Sequence, residues 1–374
     1  MNVVNLRQAE QHLKGIKLKT RLAVFVTSIA VTLGALFVSP AWASTSLTGA
    51  GSSYANKFFV QCDANTSNFS VTYNPAGSGA GRTQFANGTV DFGASDAPNA
   101  ITLSGSRAGG KYTYVPIVGG PIAMIYNIPG IANGDLRLDA PTIAKIFKGN
   151  ITRWNDSQIV NLQSDNIRNL LPNQAIQVVY RGSSSGTTEN LTDYMKQTAG
   201  TIWTTAKNGL LYTGSVTAPA GAVSATNAQD MVAKVDAVSF RFGYADLADS
   251  MGTVKRAKVK NAVGEWIAPS SASAALFLKE NYGNINTTTG AVTLKFTKKV
   301  KNAYNLSLIA YMLVDKGVAA NKVLPSGATA ANVKDWALYL LNTCGPNSAS
   351  GLGYSPISGS LLTAAQLLAN SIVK

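Results

Sequence analysis

Residues 180–190, Tyr180-Arg181-Gly182-Ser183-Ser184-Ser185-Gly186-Thr187-Thr188-Glu189-Asn190, gather three serines, two threonines, two glycines and one arginine. They stand between a short apolar stretch, 175–179, and a helical pattern over 191–198. Three kinds of chemistry use such a run. Gly182-Ser183-Ser184-Ser185-Gly186 satisfies G-x-S-x-G, the nucleophile elbow of serine hydrolases. Glycines with hydroxyls also suit a phosphate-cradling nucleotide loop. The third use is a helix N-terminus whose unpaired N–H groups and serine hydroxyls hold an anion.

The rest of the chain separates these uses. The single histidine, His12, lies in a segment that reads as an export signal, so the remainder has none. This excludes Ser-His-Asp and Cys-His catalysis and histidine metal sites there. An elbow serine would need a lysine base, and no S-x-x-K motif accompanies it. A nucleotide loop needs lysine before Ser or Thr after the glycine, whereas Gly186 is followed by Thr187-Thr188.

The export reading rests on Arg7, Lys14, Lys17, Lys19 and Arg21 against one acid, Glu10, followed by an apolar run over 22–38 and Ala41-Trp42-Ala43. That small-x-small pattern predicts cleavage after Ala43; an uncleaved membrane anchor is the alternative. The segment carries a net +4 of the chain's +14, which leaves +10. The lysines are scattered apart from Lys295, Lys298, Lys299 and Lys301, and no basic run is interleaved with aromatics. The charge is read as a solvated basic surface, not as a nucleic-acid site. Cys62 and Cys344 are an even pair in an exported chain, which suggests one disulfide, with two buried free thiols as the alternative.

The elements that must position the hydroxyl run alternate along the chain. Residues 71–75, 112–118, 121–128, 176–181 and 306–314 read as buried strands. Residues 140–147, 228–235, 330–342 and 359–373 have helical spacing of apolar residues. This alternation predicts an α/β fold with covered sheets. Three loops share one design. Residues 47–59 pass through Gly49 and Gly51 into a helix near Ser53; 74–88 pass through Gly77-Ser78-Gly79 into a helix near Ala80; 180–190 do so at Ser185-Gly186-Thr187. One such loop is ordinary serine capping. Three, one of them with an arginine, can surround a tetrahedral oxyanion with donors, because each helix start carries unpaired N–H groups and partial positive charge.

These segments resemble the periplasmic phosphate-binding proteins of phosphate-specific ABC importers. The resemblance runs over LTGAGSSYANKF (47–58), AGSGAGRTQFANGTVDFGASDAP (76–98), LDAPTIAKIFKGNITRWND (138–156), VVYRGSSSGTT (178–188), FGYADLA (242–248) and GYSPISGSLL (353–362). It implies a two-lobed type II periplasmic binding protein, with a central mixed sheet in each lobe and the ligand cleft between the lobes. It implies that phosphate is bound dehydrated, by hydrogen bonds alone, without cofactor or metal. Ser53 then donates through hydroxyl and backbone, Tyr54 through its backbone N–H, and Ser78 from the second helix end. Arg181 makes charge-assisted bonds, and Ser185, Gly186 and Thr187 supply the third helix end. Asp96 accepts the proton of the bound phosphate. An ionised carboxylate only accepts, so sulphate, which brings no proton, meets acceptor against acceptor. Asp91 reads as structural. The family commonly carries an aspartate two residues after the arginine, and here that position is Ser183.

By the same resemblance, residues 1–43 are the signal peptide, 44–122 and 305–374 form the first lobe, and 123–304 form the second. Cys62 and Cys344 then share the first lobe. The expected protein is a monomeric, non-catalytic periplasmic receptor for inorganic phosphate that serves a permease and its ATPase. An exported phosphatase or esterase on this scaffold, and a phosphate-independent surface-binding protein, are the competing expectations. Turnover of a phosphate ester or attachment to anionic surfaces without phosphate would mark them.

Overall fold

A computed structural model describes residues 44–374. The expected signal segment and its cleavage site lie outside the described residues. Within them, helices and strands alternate around a mixed sheet of eight strands: β1 (Thr45–Gly51), β2 (Phe69–Asn74), β3 (Phe92–Ser95), β4 (Tyr112–Tyr126), β5 (Gln177–Arg181), β6 (Val223–Ala225), β7 (Arg241–Asp246) and β8 (Ser307–Asp315). Their order is β2-β1-β3-β8-β4-β7-β5-β6. Two-residue strands at Lys255–Arg256 and Ser355–Pro356 also pair with β4.

The sheet changes partners along one strand. From Tyr112 to Pro121, β4 pairs antiparallel with β8. From Ile122 to Tyr126 it pairs antiparallel with β7. The first half-sheet contains β1, β2 and β3, with β1 parallel to both neighbours. The second contains β7, β5 and β6, also parallel. Two lobes with a sheet each are thus threaded by one strand.

Gly119-Gly120-Pro121 reads as a break between two strands, yet β4 runs through it. The glycines serve close approach instead of a turn. A Cβ on Gly119 would strike the Leu278 side chain, and one on Gly120 would strike the Tyr54 hydroxyl. Pro121 lacks an N–H and sits where the strand changes partners, where a missing ladder bond costs least.

Among the described residues, the eight helices of eight residues or more are α1 (Asn56–Ala64), α2 (Ser78–Ala86), α3 (Ala140–Phe147), α4 (Gly186–Thr198), α5 (Ala228–Ala237), α6 (Ser271–Asn281), α7 (Ala330–Tyr339) and α8 (Gly359–Asn370). Helix α3 has the bounds its sequence predicts. Asp139 caps it by accepting from the Thr142 N–H at 3.0 Å, and Pro141 fills the first turn, where no donor is needed. Asp139→Ala is expected to cost about 1 kcal/mol, read as a thermal midpoint lower by roughly 2–4 °C.

Helix α7 passes into one wider turn, Leu340–Cys344, whose last residue is disulfide-bonded to Cys62 of α1. The bonded residues are 282 positions apart.

Candidate functional site

The three glycine-serine loops meet where the two half-sheets face each other. Strand β3 delivers Asp96, which is 3% exposed, one residue past its end. The first loop delivers Ser52, whose hydroxyl donates to Asp96 Oδ1. The second delivers Ser78, the first residue of α2, whose hydroxyl lies 3.2 Å from Asp96 Oδ2 and accepts from the Asp96 N–H at 3.1 Å. One serine therefore holds each carboxylate oxygen. Each oxygen keeps an acceptor site in reserve, since an ionised carboxylate offers about four. Arg82, on α2, fixes the neighbouring backbone by donating to Ser95 Oγ at 2.9 Å and to the Ala97 carbonyl at 3.1 Å.

From the other half-sheet come Arg181, at the end of β5, and the start of α4. Among the described residues, the Arg181 guanidinium is held by hydroxyls alone: Ser53 and Ser185 at 3.2 Å from Nη1, and Ser183 at 3.3 Å from Nη2. Ser183 in turn donates to the Thr226 carbonyl at 3.3 Å. A neutral hydroxyl thus stands beside the guanidinium, two residues after the arginine. Ser185 is the N-cap of α4 and accepts from the Thr188 N–H at 3.3 Å. Tyr244, on β7, joins these parts. Its hydroxyl accepts from the Arg181 N–H at 3.2 Å and lies 2.7 Å from Thr188 Oγ1.

The two halves touch. A Cβ built on Gly186 would lie 2.5 Å from Ser78 Oγ and 2.7 Å from Asp96 Cβ. Asn190 Nδ2 donates across to the Asp96 carbonyl at 2.7 Å. Lys57 of α1 donates to the Ala248 carbonyl at 2.8 Å and lies 3.2 Å from Asp249 Oδ1.

Burial sets the electrostatics. It pushes the Asp96 carboxyl up to about 6, and the Ser52 and Ser78 hydrogen bonds and the Arg181 charge hold back a larger rise. Asp96 is therefore mostly ionised at neutral pH. Burial lowers the Arg181 pKa, with Tyr244 and Asp246 opposing. Asp246 is fully buried opposite Ile122, and its carboxyl is raised well above the usual range by burial and by Asp249. The Tyr54 hydroxyl is raised well above its usual value by burial, then by Asp246.

Ser53, Ser78, Asp96, Arg181, Ser185 and Gly186 converge on one place, and Thr187 is buried beside them in the first turn of α4. Tyr54 lies in the turn before α1, which starts at Asn56 and not near Ser53. Its ring packs edge-on against Tyr354, whose hydroxyl donates to the Tyr54 carbonyl at 2.7 Å. The hydroxyl of Ser78 is engaged with Asp96, so it acts first on that carboxylate. Helix α4 begins at Gly186, five residues before the apolar spacing suggests. Ser184, the elbow serine of the hydrolase motif, packs its hydroxyl against Gly79 and Gly209. Asp91 accepts from the Thr48 and Ser326 N–H groups and is structural.

Two residues of the site, Ser52 and Asn190, carry no sequence signal of their own. Ser52 adjoins Ser53, and nothing local tells which of the two faces Asp96. Asn190 stands four residues after Gly186, a helical spacing that places both on one face.

A cation, two helix starts and an acceptor-only carboxylate together suit a small oxyanion that still carries a proton. The chain is similar to several known proteins. The phosphate-binding protein PstS 3 of Mycobacterium tuberculosis is 37% identical over 163 residues, 43% of this chain and 42% of that one. The phosphate-binding protein PstS of Xylella fastidiosa is 31% identical over 237 residues, 62% of each chain. The chain thus spans less than half the length of the mycobacterial relative. The crystal structure of a phosphate-binding protein from Stenotrophomonas maltophilia superposes with a TM-score of 0.66, at 21% identity, over 87% of this chain and 94% of that one. That likeness is one of fold, the two-lobed α/β architecture of type II periplasmic binding proteins. The family model described as a PBP superfamily domain matches residues 38–342, most of the sequence, and the chain belongs to that superfamily.

Proposed function

We propose that this protein is an exported receptor that captures inorganic phosphate and delivers it to the permease and ATPase of an ABC importer, without catalysing a reaction. One observation carries the reading: a buried carboxylate, Asp96, meets the helix start at Gly186 across a closed cleft, with the Arg181 charge acting on it. An acceptor-only group beside an anion site is repulsive unless the anion brings a proton. Phosphate near neutral pH does, and sulphate does not.

In this reading Ser53, Tyr54, Ser78 and Asp96 belong to the first lobe, 44–122 with 305–374. Arg181, Ser185, Gly186 and Thr187 belong to the second, 123–304. The chain passes between them along β4 and returns into β8. Ser52 joins the site as the residue that orients Asp96. The anion bridges donors of both lobes and so stabilises the closed state over the open one. Donors already aimed at the anion cost little reorganisation on capture, which favours affinity. The protein acts as a monomer in the periplasm, and the names of its curated relatives support the phosphate assignment.

The test is calorimetric titration of residues 44–374, stripped of anion, with phosphate and then with sulphate. Tight one-to-one phosphate binding with sulphate ignored is expected. A folded sample that ignores phosphate overturns the reading.

A further inference from the structure

Two adjacent residues of α4 reach across the cleft to the segment after β3. Asn190 Nδ2 carries two hydrogens and uses both: one goes to the Asp96 carbonyl at 2.7 Å, the other to the Gly186 carbonyl at 2.9 Å. The side chain thereby ties the backbone of the proposed proton-accepting aspartate to the first residue of the proposed third helix end. Glu189, 5% exposed, accepts from Asn99 Nδ2 at 2.9 Å and lies 3.6 Å from Lys207 Nζ. Asn99 is held from its own side, since the Tyr114 hydroxyl donates to its carbonyl at 2.6 Å. None of these five side chains needs to touch an anion.

We infer that Glu189 and Asn190 form a clasp on Asp96–Asn99 that holds the lobes shut over bound phosphate and sets the register of Asp96 against α4. They are positioning residues, and the inference rests on the phosphate-receptor reading. The chemistry of Asn190 is specific, because aspartate there would face two carbonyls without a donor. The Asn190–Asp96 and Asn99–Glu189 bonds exist only when the lobes meet, so their loss falls on escape of the anion and not on its arrival. A cavity of about 140 Å³ bounded by Asp96, Pro98, Glu189, Asn190, Lys207 and Tyr311 adjoins the clasp. Water can reach there and compete for the bonds, which keeps the expected effect moderate.

The test uses residues 44–374 loaded with radiolabelled phosphate and chased with unlabelled phosphate. Asn190→Ala is expected to speed dissociation about 5- to 10-fold, and Asn99→Ala about 2- to 5-fold, with association unchanged. The thermal midpoint of the anion-free protein should stay at the wild-type value, while the rise produced by phosphate shrinks. A merely structural role would lower the anion-free midpoint instead. Asn99→Ala approaches the clasp from the segment after β3, so it tests the inference even if Asn190→Ala does not fold. Wild-type dissociation in a folded variant overturns the clasp and leaves the receptor reading intact. A wild-type protein that takes up no phosphate overturns the receptor reading and the clasp with it.

Discussion

Gly186→Ala is expected to lower phosphate affinity roughly 100-fold while leaving the anion-free protein at least as stable as before. The added methyl would sit 2.5 Å from Ser78 Oγ, 2.7 Å from Asp96 Cβ and 2.9 Å from Asp96 Oδ2. All three atoms lie across the cleft, on groups pinned by buried hydrogen bonds. They have little freedom to yield, and overpacking a fixed contact costs about 1–3 kcal/mol. The penalty applies only when the lobes are together. In the open protein alanine is the better helix residue by up to about 1 kcal/mol. Calorimetry with phosphate, together with thermal melting without it, separates the two states. Wild-type affinity in the variant would mean that Gly186 does not approach Ser78 and Asp96 in the bound form.

Asp96→Asn is expected to reduce the preference for phosphate over sulphate by about 100-fold or more. In the wild type, sulphate would press an oxygen without a proton against a buried carboxylate. The cost is that of an unpaired buried charge, several kcal/mol. Asparagine offers a donor at the same place and removes the repulsion. The same physics makes selectivity depend on pH. The Asp96 carboxyl is raised by burial to about 6, so it is mostly ionised at pH 7 and mostly protonated at pH 5. A protonated carboxyl can donate. Exclusion of sulphate by the wild type should therefore weaken as pH falls through about 6, and the asparagine variant should show no such step. Competition titrations at pH 5 and pH 8 read both effects. Unchanged sulphate rejection in the variant would remove Asp96 from its proposed role.

How far the sequence reaches depends on whether a feature is local. Helix α3 is fully legible, because Asp139 and Pro141 supply its cap and first turn within three residues. The third helix end is legible as a function and not as a boundary. Gly186 to Asn190 is polar, so the apolar period starts only at Leu191, although α4 begins at its Ser185 cap. Strand β4 misleads for the opposite reason. Its glycines look like punctuation, and what demands them is Leu278 and Tyr54, far along the chain. Within the site, residue types announce the chemistry: one arginine, one isolated aspartate and serines behind glycines. What the sequence cannot supply is pairing. Whether Ser52 or Ser53 meets the carboxylate depends on the backbone after Gly51, and the partner of Asn190 is 94 positions away.

The bond between Cys62 and Cys344 also decides how the protein would carry load. If it were pulled at residues 44 and 374, tension would run through β1 and α1, cross at the disulfide and leave through the C-terminal segment. Everything between the cysteines, including the whole of the second half-sheet, hangs from the line of force as a covalently closed ring. Stretching the oxidised chain would release only about fifty residues, roughly 170 Å at about 3.4 Å each. Reduction would put the remaining 282-residue span into the path and lengthen the extension several-fold. The lobe that supplies Arg181 and α4 is therefore mechanically sheltered as long as that one bond is intact.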